Sequence, residues 1–391
     1  MPPVRSPIDR TNHGPRAFVP ALASLLRLTL LPDRHRRTFV TGAFVTGAFV
    51  TVLAAIARKL VHIIERGGVR IMLQRPKCPV IALEEHYWDK ELAAQFAGAE
   101  GVRDPNMLER LYDLGELRLK EMDEAGIDMQ ILSHGAPSAQ KLSGADAVDL
   151  TRRVNDRLHA FVTANPTRFA AFAALPTSDP KAAADELERT TRLGFKGAMI
   201  HGLANGVFLD DRRFWPIFER AQSLDIPIYL HPSVPLPAVM DAYYKDYAKE
   251  FPMVVRAAWG YTVETATLAI RLVLSGVFDA YPRLKMVLGH LGETLPFLVW
   301  RVDHALARPG AKTLSFRDAF CNHFYITTSG NFSNPALLCC VMEMGIDRIL
   351  FAVDWPFVAN MPAVRWMETV PLCDEDKVKI LSGNAQRLFR L

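Results

Sequence analysis

Residues 79 to 89 read PVIALEEHYWD, an apolar run of strand length that ends in Glu84, Glu85 and His86. Side chains two apart on an extended strand share a face, so Glu84 and His86 point one way and Glu85 the other. A carboxylate beside an imidazole can help hold a divalent cation or move a proton. E-x-H alone is a weak signal, but other ligand-type residues close similar runs: His231 in IPIYLHPS, His290 in LKMVLGHLGE and Asp354 in RILFAVDWP. Glu84, His86, His231 and Asp354 offer two imidazole nitrogens and two carboxylates, a set that suits Zn²⁺ or Mn²⁺ and leaves positions open to a substrate.

Residues this far apart meet only if the chain brings the ends of its strands together. Runs dense in β-branched and aromatic residues recur eight times: PVIALEEH, IDMQILSHG, RFAAFAALP, FKGAMIHG, IPIYLHPS, LKMVLGHLG, FYITTSGN and RILFAVDWP. Most intervening segments have helical periodicity, as in MLERLYDLGELRLKEMDEAG and PKAAADELERTTRLG. Eight strands alternating with helices predict a parallel (β/α)8 TIM barrel, whose strand C-termini carry the chemistry. Glu84, Glu85 and His86, Ser133 and His134, His201, His231, His290, Thr327 to Ser329 and Asp354 all fall at such ends. Any one of them could merely cap a helix; the constellation is harder to dismiss. The segment from Pro235 to Pro252, with DAYYKDYAKEF, is too long for a plain βα loop and is expected to form a cover inserted after the fifth strand.

Composition narrows the function classes. The net charge of +4 is unevenly spread: residues 1–71 carry 11 Lys/Arg against 3 Asp/Glu, leaving 35 against 39 over the rest. The mildly acidic remainder has no nucleic-acid footprint. Residues 39–57 are uncharged but rich in Thr, Gly and Ala, hence weakly hydrophobic for a membrane span. Residues 1–71 are therefore read as an extension unrelated to the barrel domain at 72–391: an over-extended gene start, a membrane anchor, or a disordered or targeting segment. Membrane contact follows only from the second of these. Five cysteines without metal-finger spacing favour a reducing, cytoplasmic setting.

The stretches ALEEH, LDIPIYLHPS, LKMVLGHLGETLP, ITTSGNFS, RILFAVDWPF and GNAQRLF resemble the amidohydrolase-related metal-dependent decarboxylases, in particular the γ-resorcylate and 2,3-dihydroxybenzoate branch, from about residue 80 onward. The resemblance implies one Zn²⁺ or Mn²⁺ per subunit held by Glu84, His86, His231 and Asp354. It implies a catalytic pair of His290 and Glu293, a proton-donating role for Asp354, and a substrate contact at Arg301. His134 and His201 stand where less basic residues are expected and are assigned to the substrate, which need not be a simple dihydroxybenzoate. The implied activity is non-oxidative decarboxylation of a hydroxylated aromatic acid by a homodimer or homotetramer. Two alternatives stay open: a lactone or amide hydrolase on the same barrel, and a degenerate barrel acting as a binding scaffold. The E-x-H motif favours the aromatic-acid branch, because hydrolytic relatives usually carry H-x-H there.

Overall fold

The computed structural model describes residues 75–96, 103–308 and 314–391; the extension at residues 1–71, with its segment at 39–57, lies outside the described residues. Eight strands form where the apolar runs stand: β1 (Ile81–Tyr87), β2 (Met129–His134), β3 (Phe169–Ala171), β4 (Ala198–His201), β5 (Ile228–His231), β6 (Met286–Leu288), β7 (Phe324–Thr327) and β8 (Ile349–Leu350). All pairings between successive strands are parallel. β1 to β3 and β4 to β8 form two continuous arcs. Parallel bridges Ala173↔Ala198 and Leu83↔Ala352 join the arcs on both sides and close the barrel.

Closure sorts the apolar residues into two cores. Ile81, Leu83, Ile131, Ala170, Phe172, Met199, Tyr229, Val287, Leu350 and Ala352 fill the lumen. Their neighbours, such as Val80, Ala82, Leu132, Ile200, Leu230 and Leu288, pack outward beneath the helices. Strands buried on both faces read as near-continuous apolar runs, which is why the sequence reveals them so plainly. The far end of the lumen is plugged by Ala385, Leu388 and Phe389 of the helix Asn384–Phe389. That helix is tied to β8 by Asn384 Nδ2, which donates to the carbonyl oxygens of Ile349 (2.7 Å) and Ile346 (2.9 Å).

The insertion after β5 is helical, with helices at Pro237–Tyr243 and Lys245–Ala248 and a 3₁₀ turn at Pro252–Val255. Both of its ends return to the rim, where Ser233, Val234, Arg256 and Tyr261 line a small cavity with Ala136 and Pro137 of the β2 loop. Tyr244 is buried, whereas Tyr243, Tyr247, Phe251, Met253 and Trp259 are exposed. Among the described residues, no helix is long and apolar enough to cross a membrane.

The plug under the lumen is a packing device. Phe389, 4% exposed, sits with its ring 5.4 Å from that of Phe172. Phe389→Ala is expected to lower unfolding free energy by about 3–5 kcal/mol, the usual cost of emptying a buried aromatic site. Urea denaturation measures this, and a loss below about 1 kcal/mol would show that the helix does not support the barrel.

Candidate active site

β1 reaches the site by breaking its own alternation. Ile81 and Leu83 face the lumen, so an unbroken pleat would turn Glu85 inward and Glu84 outward. Instead the β1–β2 register shifts between Ala82 and Glu85, and Glu84 takes a left-handed φ of 58°. One residue is absorbed, and beyond it Glu84 and His86 face the lumen while Tyr87 joins the outer core. Glu85 faces away from the cluster, as the two-residue spacing predicts, yet it is not at the surface. It is fully buried, accepting the backbone N–H groups of Val353 (3.0 Å) and Trp355 (3.2 Å).

Glu84, His86, His231 and Asp354 converge, each offering one ligand-type atom within 4.8 Å of the others. His86 Nε2 lies 3.3 Å from Asp354 Oδ1, and His231 Nε2 lies 3.4 Å from Glu84 Oε1. Glu84 Oε1, His86 Nε2 and Asp354 Oδ1 are buried and make no hydrogen bond. Two carboxylate charges at such separations repel by about 3 kcal/mol even at an effective dielectric of 20, and desolvation adds to that cost. A divalent cation among these atoms would remove both penalties, so the donor set fits Zn²⁺ or Mn²⁺.

The imidazoles are set for that task. His231 Nδ1 lies 2.8 Å from the Pro232 carbonyl oxygen, which can only accept, so Nδ1 carries the proton and Nε2 turns its lone pair to the cluster. Burial, reinforced by His86, pushes the His231 pKa well down and keeps the ring neutral. His86 Nδ1 is held by Ser133 Oγ at 3.1 Å. Burial pushes the Glu84 carboxyl up, opposed by His290 and reinforced by Asp354. Burial would raise Asp354 too, but the facing imidazoles of His290 and His86 hold it well below the usual carboxylate range.

His290 and Glu293 form the pair that the resemblance implies, across a turn that is not helical. Five consecutive residues, His290 to Thr294, have positive φ, between 52° and 75°, and the regular helix begins only at Leu295. This left-handed turn brings His290 Nδ1 to 2.7 Å from Glu293 Oε1, while Thr262 Oγ1 donates to Glu293 Oε2 at 2.8 Å. Nε2 then faces Glu84 Oε1 at 3.8 Å and Asp354 Oδ2 at 3.9 Å. Burial depresses the His290 pKa, but the carboxylates of Glu293 and Glu84, with Asp354, outweigh it and raise it well above the ordinary value. Glycine at 292 relieves the turn at its most crowded point, where a Cβ would lie 2.9 Å from the Pro296 ring. Glycine at 289 leaves room for Glu84, whose Oε2 would be 2.8 Å from a Cβ there.

The other sequence-derived candidates separate. His201 pairs in register with His231 on the neighbouring strand, so their rings lie side by side with centroids 4.6 Å apart. Both its ring nitrogens are buried and unpartnered, and burial, with His231 and His86, pushes its pKa well down. His134 lies outside the cluster: it pairs with Tyr87 rather than His86 and packs edge-on against the Tyr87 ring, its pKa pushed down to about 4 by burial. The inward residue of that strand end is Ser133. Arg301 is exposed on the helix Leu295–Leu306, and among the described residues no hydrogen bond, ion pair or ring contact links it to the cluster. Tyr229, which no sequence motif singles out, stands two residues before His231 on the same face. Its hydroxyl donates to Glu84 Oε2, to which Thr327 Oγ1 also donates at 3.2 Å, and Ser329 Oγ accepts the His290 N–H at 2.9 Å.

Known proteins share this arrangement of strands and sequence. The amidohydrolase family profile matches residues 81–391. A γ-resorcylate decarboxylase of Polaromonas sp. is 43% identical over 326 residues, covering 80% of this chain and 98% of that protein. The crystal structure of a dihydroxybenzoic acid decarboxylase from Polaromonas sp., with bound manganese and 2-nitroresorcinol, superposes with a TM-score of 0.74 at 42% identity, over 80% of this chain and 97% of that one. A 5-carboxyvanillate decarboxylase from Novosphingobium aromaticivorans, complexed with manganese and 4-hydroxy-3-methoxy-5-nitrobenzoic acid, gives 0.75 at 31% identity, over 81% and 97%. With a barrel closed by eight parallel strands and a family match that begins at the first residue of β1, this chain belongs to the amidohydrolase family.

Proposed function

We propose that this protein is a metal-dependent, non-oxidative decarboxylase of an ortho-hydroxylated aromatic acid. The observation that carries the reading is the convergence of unpartnered buried atoms from Glu84, His86 and Asp354 beside the His290–Glu293 pair. Glu84, His86, His231 and Asp354 would hold one divalent ion, and manganese is the ion bound in two similar decarboxylases. When bound, the ion supplies Lewis acidity and an anchoring charge for a phenolic and a carboxylate oxygen.

Losing CO₂ directly from the ring would leave an aryl carbanion, too unstable to form at a useful rate. The ring carbon bearing the carboxylate must therefore be protonated first, with density pushed in from the ionised ortho-phenol. Asp354 is the proposed carrier: it takes the phenolic proton and passes it to that carbon, after which CO₂ leaves and aromaticity returns. His290, tethered through Nδ1 to Glu293 and held cationic by its carboxylate neighbours, keeps Asp354 ionised until that transfer and balances the electron-rich ring. His201 offers two free ring nitrogens to a polar substituent of the substrate. The exposed aromatic residues Tyr243, Tyr247, Phe251 and Trp259 are of the types enriched at subunit interfaces, which supports a homodimer or homotetramer. Five unpaired cysteines support a cytoplasmic setting.

Manganese-loaded enzyme offered a panel of ortho-hydroxybenzoates should release CO₂, and in deuterated water the product should carry one deuterium at the carbon that lost its carboxylate. Lactone turnover without CO₂ would instead establish a hydrolase. Glu84→Ala and His231→Ala should lose metal and activity together, read by elemental analysis of the purified protein. Asp354→Asn should abolish turnover while retaining some metal, and His290→Asn should slow it about 10²- to 10⁴-fold without emptying the site; near-normal CO₂ release by Asp354→Asn would place the proton elsewhere. The catalytic unit is assigned to residues 72–391, so a chain starting at Met72 should fold and turn over at the full-length rate, and insolubility on that truncation would count against the boundary.

A further inference from the structure

Asp354 reaches the cluster on a backbone that is costly to maintain. Its φ of 77° is left-handed, a conformation uncommon for a non-glycine residue although aspartate adopts it more readily than most. The amides on either side of Asp354 end on one side chain. Glu85 Oε1 accepts the N–H of Val353 at 3.0 Å, and Glu85 Oε2 accepts that of Trp355 at 3.2 Å. In return the Trp355 carbonyl accepts the N–H of His86 at 2.7 Å, so the two strand ends bearing Glu84, His86 and Asp354 are laced together.

Behind this lacing is a fully buried arginine. Arg118 Nη2 donates to the His86 carbonyl, Nη1 donates to Gln130 Oε1 at 3.1 Å, and the guanidinium lies 4.0 Å over the Trp355 ring. Gln130 Nε2 completes the circuit at 3.4 Å from Glu85 Oε2. Glu85, Arg118 and Gln130 are all 0% exposed and lie outside the lumen. Nothing in the proposed reaction uses them. A buried carboxylate spent on two backbone amides, when those amides bracket a ligand-type residue, sets the position of that residue.

We propose that Glu85 is a positioning residue: its carboxylate clamps the amides flanking Asp354 and fixes the left-handed turn that aims the Asp354 carboxylate at the ion and the substrate. The proposal rests on the reading of Asp354 as an ion ligand and proton carrier. A residue that stands between two ligands in sequence, and whose side chain faces away from them, thereby governs how tightly the ion is held. Outer partners of this kind are typically worth about 10- to 100-fold in metal affinity.

The test is Glu85→Gln, which keeps size and one acceptor but sets an amide N–H₂ against one of the clamped N–H groups. Measured on folded, full-length protein, Mn²⁺ should bind at least about tenfold more weakly than in the wild type, with an altered Mn²⁺ electron paramagnetic resonance spectrum and a fall in kcat larger than any rise in KM. Glu85→Asp, which keeps both acceptors on a shorter arm, should recover part of the affinity. A Glu85→Gln protein with lower Tm but wild-type Mn²⁺ affinity and spectrum would overturn the proposal, since a merely structural role moves Tm alone. Should Glu85→Gln fail to fold, Gln130→Met removes the donor to Glu85 while leaving its carboxylate in place; a smaller shift of affinity and spectrum is then expected, and an unchanged site is again decisive against. Asp354→Asn is run alongside: if the wild type binds no Mn²⁺, or Asp354→Asn binds it as the wild type does, the ligand assignment has failed rather than the clamp.

Discussion

Two carboxylates, Glu84 and Asp354, are brought together at a buried strand-end rim where neither has a full complement of partners, and most of the surrounding structure answers that constraint. Each is offered an imidazole at little more than 3 Å. Of these, His231 is fixed in the tautomer that presents a lone pair, so it cannot neutralise Glu84 by donating from that nitrogen. Glu84 Oε2 is satisfied by the Tyr229 and Thr327 hydroxyls, which leaves Oε1 as the free atom. The hydrogen-bonding is thus distributed so that unsatisfied atoms face a common point while the outward atoms are paired. A core optimised only for stability would pair these groups or replace them with apolar residues.

The backbone bears a related cost. Among the described residues, nine non-glycine positions have positive φ; six of them, Glu84, Asp354 and four residues of the turn from His290 to Thr294, belong to the site, and the others are Asn205, Asp225 and Arg390. Strained backbone concentrates where surrounding packing can hold it. Here the support comes from strands buried on both faces, from the plug of the last helix and from the lacing of β1 to β8.

Much of this was readable in the sequence, and the exceptions share a cause. The eight strands were legible because a parallel barrel buries both faces of each strand, so β-branched and aromatic residues run without interruption. Polar residues at their ends were legible because only ends can tolerate them. The pairing of Glu84 with His86 was reached by simple alternation, but the structure attains it through a bulge that resets the pleat, and nothing in IALEEHY announces which residue is absorbed. His290 and Glu293 meet as the resemblance implies, across a left-handed turn that the local sequence does not announce. At the end of β2 the sequence points to His134, while the serine before it is the inward residue. Local pattern identifies a residue's type and approximate place; the facing of each side chain depends on register with neighbouring strands.

The turn from His290 to Thr294 has a consequence for the chain before it is mature. Left-handed conformation costs an L-residue roughly 1–2 kcal/mol, and four of the five residues here are not glycine. No isolated peptide would adopt it; the finished barrel imposes it. Glu84 and His86, by contrast, are close in sequence and could meet an ion in a nascent chain. An incompletely folded molecule could therefore scavenge metal, yet it would lack the aligned imidazole–carboxylate pair and remain chemically silent. Competence for the reaction is tied to completion of the fold.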